Sequence, residues 1–174
     1  MINSLIQIDL TISRFIHDNI KNKTLDRILS RVNRGETLLF ILILSFFFYT
    51  EHKFYIVFLH VGIITFLTDR IVLFLKKTIS RKRPLIRVMQ NEDKNPDMKH
   101  SFPSAHAANS MISIFILVTA YNYSPYFFLF SLFAGIGRLI TLHHFVSDIL
   151  GGWTIGLLIG FLNLGIMALL TSFH

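Results

Sequence analysis

Arg138-Leu139-Ile140-Thr141-Leu142-His143-His144-Phe145-Val146-Ser147-Asp148 gathers an arginine, two histidines and an aspartate where an apolar C-terminal half should simply turn around. Ionisable groups at membrane depth or at its edge are costly, so they mark a functional site by default. His144 and Asp148 are four residues apart, the spacing that puts an imidazole and an orienting carboxylate on one helix face. Five residues of helix rotate His143 by about 140° from Asp148, so His144 is the first candidate for chemistry.

The rest of the chain makes the membrane reading necessary. With 174 residues, 52% hydrophobic and 18 Phe, it is too apolar for an ordinary soluble domain, and the apolar residues come in runs. No Pro/Gly/Ser linker divides it, so one domain spans residues 1–174. The formal charge of +7 points to polyanionic partners, either anionic headgroups or phosphorylated substrates. Nucleic acid is not among them, because no basic stripe with interleaved aromatics stands on a soluble face. Cysteine is absent, which removes thiolate chemistry and disulfides.

Residues 2 to 20 alternate apolar and polar side chains at helical spacing, with Asn3, Gln7, Arg14, Asp18 and Asn19 interrupting, and predict an amphipathic interfacial helix. They lack the basic start and small-residue cleavage site of a secretory signal. A charged connector carrying Lys21, Lys23, Arg27, Arg31 and Arg34 completes an N-terminal part, residues 1–36, before a helical bundle over 37–174. Five membrane spans are expected, near residues 35–49, 54–75, 105–121, 126–142 and 149–170. The polar loop 76–103 and the turn 138–148 are separated by two spans, so they should emerge on the same side. Gly152, Gly156 and Gly160 recur every four residues, the pattern that lets membrane helices approach closely, and predict tight packing of the last span beside the site.

Three polar motifs share that face: Lys76, six residues, then Arg83-Pro84; Pro103-Ser104-Ala105-His106; and Arg138, five residues, His144, three residues, Asp148. An isolated histidine or basic run is more often structural or a headgroup contact, but three ordered motifs on one face make a specific signal. Together they resemble the type 2 phosphatidic acid phosphatase family of integral-membrane lipid phosphatases, which share a fold with vanadium haloperoxidases. The chemistry is coherent in its own terms. A phosphate monoester is dianionic and needs cations around its oxygens, which Lys76, Arg83 and Arg138 supply. Ser104 and the amide of Ala105 stand at a predicted helix start, where unpaired N–H groups favour an anion.

The resemblance implies that His144 attacks phosphorus to form a phosphohistidine, with Asp148 holding its other nitrogen, and that His106 protonates the leaving group and then activates water. No metal or other cofactor is required. The chain departs from the family at two points: Ala105 replaces a usual glycine, and Gly137 a usual serine. The substrate implied is a phosphorylated lipid, with lipid A 1-phosphate first because a basic loop and connector suit a large multiply charged glycolipid. Undecaprenyl diphosphate and phosphatidylglycerophosphate are the alternatives. A vanadate-dependent peroxidase and a non-enzymatic lipid-binding protein are the rivals from other classes.

Lys77, Arg81, Lys82 and Arg87 are read as headgroup contacts, and His52, His60, His100 and His174 as non-catalytic. Asp69 and Arg70 form either an ion pair within their span or a contact that supports Lys76. Charge bias alone would place the catalytic face in the cytoplasm, whereas the resemblance implies a multi-pass protein of the bacterial inner membrane facing the periplasm, and the latter is adopted. The oligomeric state is not legible; a monomer is one reading.

Overall fold

A computed structural model describes residues 2–20, 54–84 and 99–172, together with Asn22 and Thr24. Over these residues the chain is helical: α1 (Ile2–Ile20), α2 (Phe54–Ile79), α3 (Ala105–Tyr121), a 3-10 turn (Pro125–Phe127), α4 (Phe128–Ile140) and α5 (Val146–Ser172). The expected span at 35–49 lies outside the described residues. The other four expected spans are all helices. Two of them, α2 with 26 residues and α5 with 27, are long and apolar enough to cross a bilayer. The helices α3 and α4 are shorter, with 17 and 13 residues.

Only 22% of the apolar window of α2 and 17% of that of α5 is buried, so neither is the core helix of a soluble protein. Phe58, Phe66, Phe74, Leu158, Phe161 and Leu162 point outward instead. Apolar surface on this scale faces lipid, and the chain is a membrane protein.

Helix α3 is the central element, buried from Ala105 to Leu117 except for His106 and Asn109 and packed against α2, α4 and α5. The glycines of α5 explain how it lies so close. A Cβ on Gly152 would sit 2.5 Å from the Ser104 carbonyl, one on Gly156 2.7 Å from the Ala108 carbonyl, and one on Gly160 2.5 Å from the Phe115 ring. Backbone atoms cannot yield as a side-chain tip can, so the contacts at Gly152 and Gly156 require glycine.

Polar pins cross the bundle at membrane depth, where hydrogen bonds replace the missing hydrophobic drive between helices. His60 joins Tyr121 Oη at 2.9 Å and Asn163 Oδ1 at 3.0 Å. Thr65 pairs with Ser113 at 2.8 Å, and Ser110 with Ser131 at 3.0 Å. Arg70 pairs with Asp69 at 2.5 Å, and Asp69 also accepts from Asn109 at 3.1 Å. Of the two readings of Asp69 and Arg70, the ion pair is the one found, with a tie to α3 added.

Candidate active site

The site is assembled at one end of the bundle, where α2 ends and α3 and α5 begin. After α2 the chain turns through Ser80 at φ 52°, and after α4 through Leu142 at φ 51°, both in the left-handed region that non-glycine residues seldom adopt. Such strain persists only where surrounding contacts impose it, and here it flanks two of the three motifs. The loop from α2 is closed on itself: Ser101 N donates to the Arg81 carbonyl at 2.8 Å, and Lys82 bridges to His100. The turn 138–148 is fastened to α3 by Ser104 N, which donates to the Asp148 carbonyl at 2.9 Å. The described ends of the 76–103 loop and the 138–148 turn thus meet on one face.

His144 is almost fully buried, and its Nδ1 lies 3.6 Å from Asp148 Oδ2. The physical origin of this pair differs from the expectation. Residues 141–145 are a turn and not helix, so no shared helical face exists. Asp148 instead occupies the first turn of α5, and its Oδ2 accepts from Phe145 N at 2.8 Å, one half of a capping box. The four-residue spacing succeeds because a helix cap folds the carboxylate back under the preceding turn. Burial pushes the His144 imidazole down to about 4, with Arg83 and Lys76 lowering it further and Asp148 opposing them. With its proton affinity lowered this far, the ring is in its neutral form at pH 7.

Lys76 and Arg83 act on this ring, and Arg138 stands on the neighbouring His106. Lys76 is fully buried and donates to the His100 carbonyl at 3.1 Å. Arg83 donates to the His143 carbonyl at 3.4 Å, and the Arg138 guanidinium donates to His106 Nε2. Ser104 caps α3 by accepting from Ala107 N at 3.4 Å, which leaves its own hydroxyl proton to donate. Ala105 opens the helix and has no left-handed φ, so the alanine that replaces a usual glycine carries no strain.

Two readings need correction. Arg81, expected at the lipid headgroups, is tucked into the site. Its Nη1 donates to Asp148 Oδ1 at 2.9 Å and Ser147 Oγ at 2.6 Å, its Nη2 donates to Asp9 at 2.7 Å, and its plane covers the Phe145 ring at 3.9 Å. His143, set aside on helical rotation, also belongs to this neighbourhood. Its Nδ1 meets Thr141 Oγ1 at 2.9 Å, and burial with Arg138 and Arg83 lowers its proton affinity. Sequence reasoning missed Asp9, although Asp9, Ser13 and His17 recur at four-residue spacing as one polar stripe on an apolar helix.

Among the described residues no group of three or more His, Asp or Glu side chains could hold a metal ion. Among the described residues the site's positive charge comes from lysine and arginine at one end of a helical membrane bundle. A family model for the PAP2 superfamily matches residues 37–171, so the chain belongs to the PAP2 superfamily, and it is a phosphatase. Two solved structures share the fold. A transmembrane PAP2-type phosphatidylglycerolphosphate phosphatase from Bacillus subtilis is 23% identical with a TM-score of 0.68, the match covering 95% of this chain and 87% of that one. Aquifex aeolicus LpxE is 24% identical with a TM-score of 0.63, covering 90% and 94% respectively. No curated protein matches the sequence.

Proposed function

We propose that the protein is a metal-independent lipid phosphatase that works through a phosphohistidine on His144. The observation that carries this is a buried imidazole backed by Asp148, with Lys76 and Arg83 close enough to lower its proton affinity and Arg138 held on the neighbouring His106. His144 attacks phosphorus while the bond from phosphorus to the lipid oxygen breaks, and His106 gives that oxygen its proton. Water then attacks the phosphohistidine, His106 takes the water's proton, and the P–N bond breaks to release phosphate and neutral His144. A guanidinium only donates, so His106 Nε2 is an acceptor while Arg138 holds it. A phosphate oxygen that draws Arg138 away frees Nε2 to take up from solvent the proton that it then gives to the leaving oxygen.

A lipid ester is favoured by the groove beside the site. It encloses about 980 Å³ and is lined by Ile6, Leu10, Ile79, Phe102, Phe145 and Leu150, with Arg81, Lys82, Arg83 and Arg14 among its cations. An apolar trough under a cationic rim suits acyl chains below a phosphate. Arg14, Lys77, Lys82 and Lys99 are exposed and surplus to one phosphate, which supports lipid A 1-phosphate as the first substrate to test. The Bacillus subtilis likeness makes phosphatidylglycerophosphate the second, and undecaprenyl diphosphate is the third.

The chain acts as one domain, with α1 lying at the interface, five spans in all, and its site on the periplasmic side of the inner membrane. Phosphate release from the three lipids in detergent, with excess chelator present, tests the proposal. Turnover should survive chelation and be lost in His144→Ala; dependence on Mg²⁺, or full turnover without His144, would overturn it.

A further inference from the structure

Helix α1 presents its polar stripe inward. Asp9 Oδ1 accepts from Ser147 N at 3.3 Å, Ser13 Oγ accepts from Val146 N at 3.2 Å, and His17 Nδ1 donates to the Ile140 carbonyl at 2.5 Å. The apolar residues Ile8, Ile12 and Phe15 face out. All three polar residues thus end on the segment 140–147 that carries His144.

Asp9 does more than anchor. Its Oδ2 accepts from Ser147 Oγ at 2.5 Å and from Arg81 Nη2 at 2.7 Å, while Arg81 Nη1 reaches Asp148 Oδ1 at 2.9 Å. One guanidinium fork is therefore shared by two carboxylates, a geometry that its planar donors favour. Arg81 alone would neutralise Asp148. With Asp9 added, the three groups together carry one negative charge, which stays available to the His144 imidazole.

We propose that Asp9 is a positioning residue of the active site: through Arg81 it fixes the Asp148 carboxylate and preserves its charge, making α1 a working part of the catalytic centre. Helix α1 precedes residue 37, where the family match begins. The inference rests on the phosphohistidine reading of His144. The charged and titratable groups around the His144 and Asp148 pair are Lys76 from α2, Arg81 and Arg83 after it, Arg138 with His106 of α3 behind it, His143 of the turn, and Asp9 of α1.

The test uses the full chain in detergent with dioctanoyl phosphatidic acid as probe. Asp9→Asn should lower kcat about tenfold with KM little changed, as loss of an orienting partner does. It should also move the acid limb of kcat/KM to lower pH, because a negative charge near His144 is gone. Arg81→Gln should move that limb to higher pH, and Asp9→Glu should recover most of kcat.

Ser13→Ala removes an anchor of the same helix and no charge, so it should leave the limb in place. If Ser13→Ala and Asp9→Asn behave alike with the limb unmoved in both, α1 is only a clamp and the inference is wrong. Should Asp9→Asn not fold, Arg81→Gln against Asp9→Glu decides it: an unmoved limb in Arg81→Gln overturns the inference. Wild-type turnover in His144→Ala would sink the phosphohistidine reading itself. An inactive His144→Ala beside a wild-type Asp9→Asn would sink only the role of Asp9.

Discussion

His144 Nδ1 stands 3.6 Å from Asp148 Oδ2, beyond ordinary hydrogen-bond range but inside electrostatic reach, and the pair is sealed from solvent. A carboxylate at that distance can tighten onto the ring as positive charge develops on it during attack.

The first prediction concerns pH. On the proposed mechanism neutral His144 attacks phosphorus, and its proton affinity is pushed down to about 4, so kcat/KM should hold from pH 7 toward pH 4 and fall below it. Stability moves earlier. An unfolded chain takes up this proton near 6.5 and the folded one does not, so folding stability should decline as pH falls from about 6.5 toward 4. A pH-rate profile with an acid limb at 6.5 would contradict the buried, neutral assignment.

The two histidines should separate in a trapping experiment. With ³²P-labelled lipid, acid-labile label should appear on the wild type, vanish in His144→Ala, and both form and decay more slowly in His106→Gln because leaving group and water each lose their proton partner. The His106→Gln variant should also turn over roughly 10²- to 10⁴-fold more slowly, the usual loss for a general acid and base. Label that persists without His144 would move the nucleophile elsewhere.

The glycines of α5 offer a stability contrast. Gly152→Ala forces a Cβ to within 2.5 Å of a backbone carbonyl and should destabilise by about 1–3 kcal/mol. A Cβ on Gly62, inside α2, meets nothing within 4 Å, so Gly62→Ala should be stabilising by roughly 0.5–1 kcal/mol. Thermal unfolding in one detergent compares the two directly, and equal melting temperatures would refute the close contact.

Sidedness can be read from a chain that has no cysteine of its own. Lys99 is exposed on the catalytic face, and Lys99→Cys should react with a membrane-impermeant maleimide in intact spheroplasts. Labelling only after lysis would place the site in the cytoplasm, as the basic residues by themselves suggest.

Much of the site was legible because its chemistry needs fixed residue types at fixed spacing: Lys76 to Arg83, Ser104 to His106, and Arg138 to Asp148. Helix α3 was placed to the residue, since Ser104 caps it and Asn122 ends it in a left-handed turn. What escaped depends on pairings distant in sequence. Arg81 is 67 residues from Asp148 and 72 from Asp9, and nothing in a basic run tells which arginine turns inward. The inward stripe of α1 escaped for a related reason: amphipathic spacing marks a polar and an apolar face but does not tell that Asp9, Ser13 and His17 meet the segment 140–147. His143 was set aside by treating 141–145 as helix, where the chain in fact turns.

The glycine contacts of α5 also divide that helix into two mechanical regimes. Up to Gly160 it is keyed into α3 and cannot slide or rotate by a residue without collision. Beyond Asn163 every side chain is exposed among the described residues. A bilayer thinner or thicker than α5 is therefore met by tilting and by these outer turns, at a modest energetic cost per ångström. The keyed half carries Asp148 at its start, so the contact that fixes α5 against α3 also fixes the place of this carboxylate.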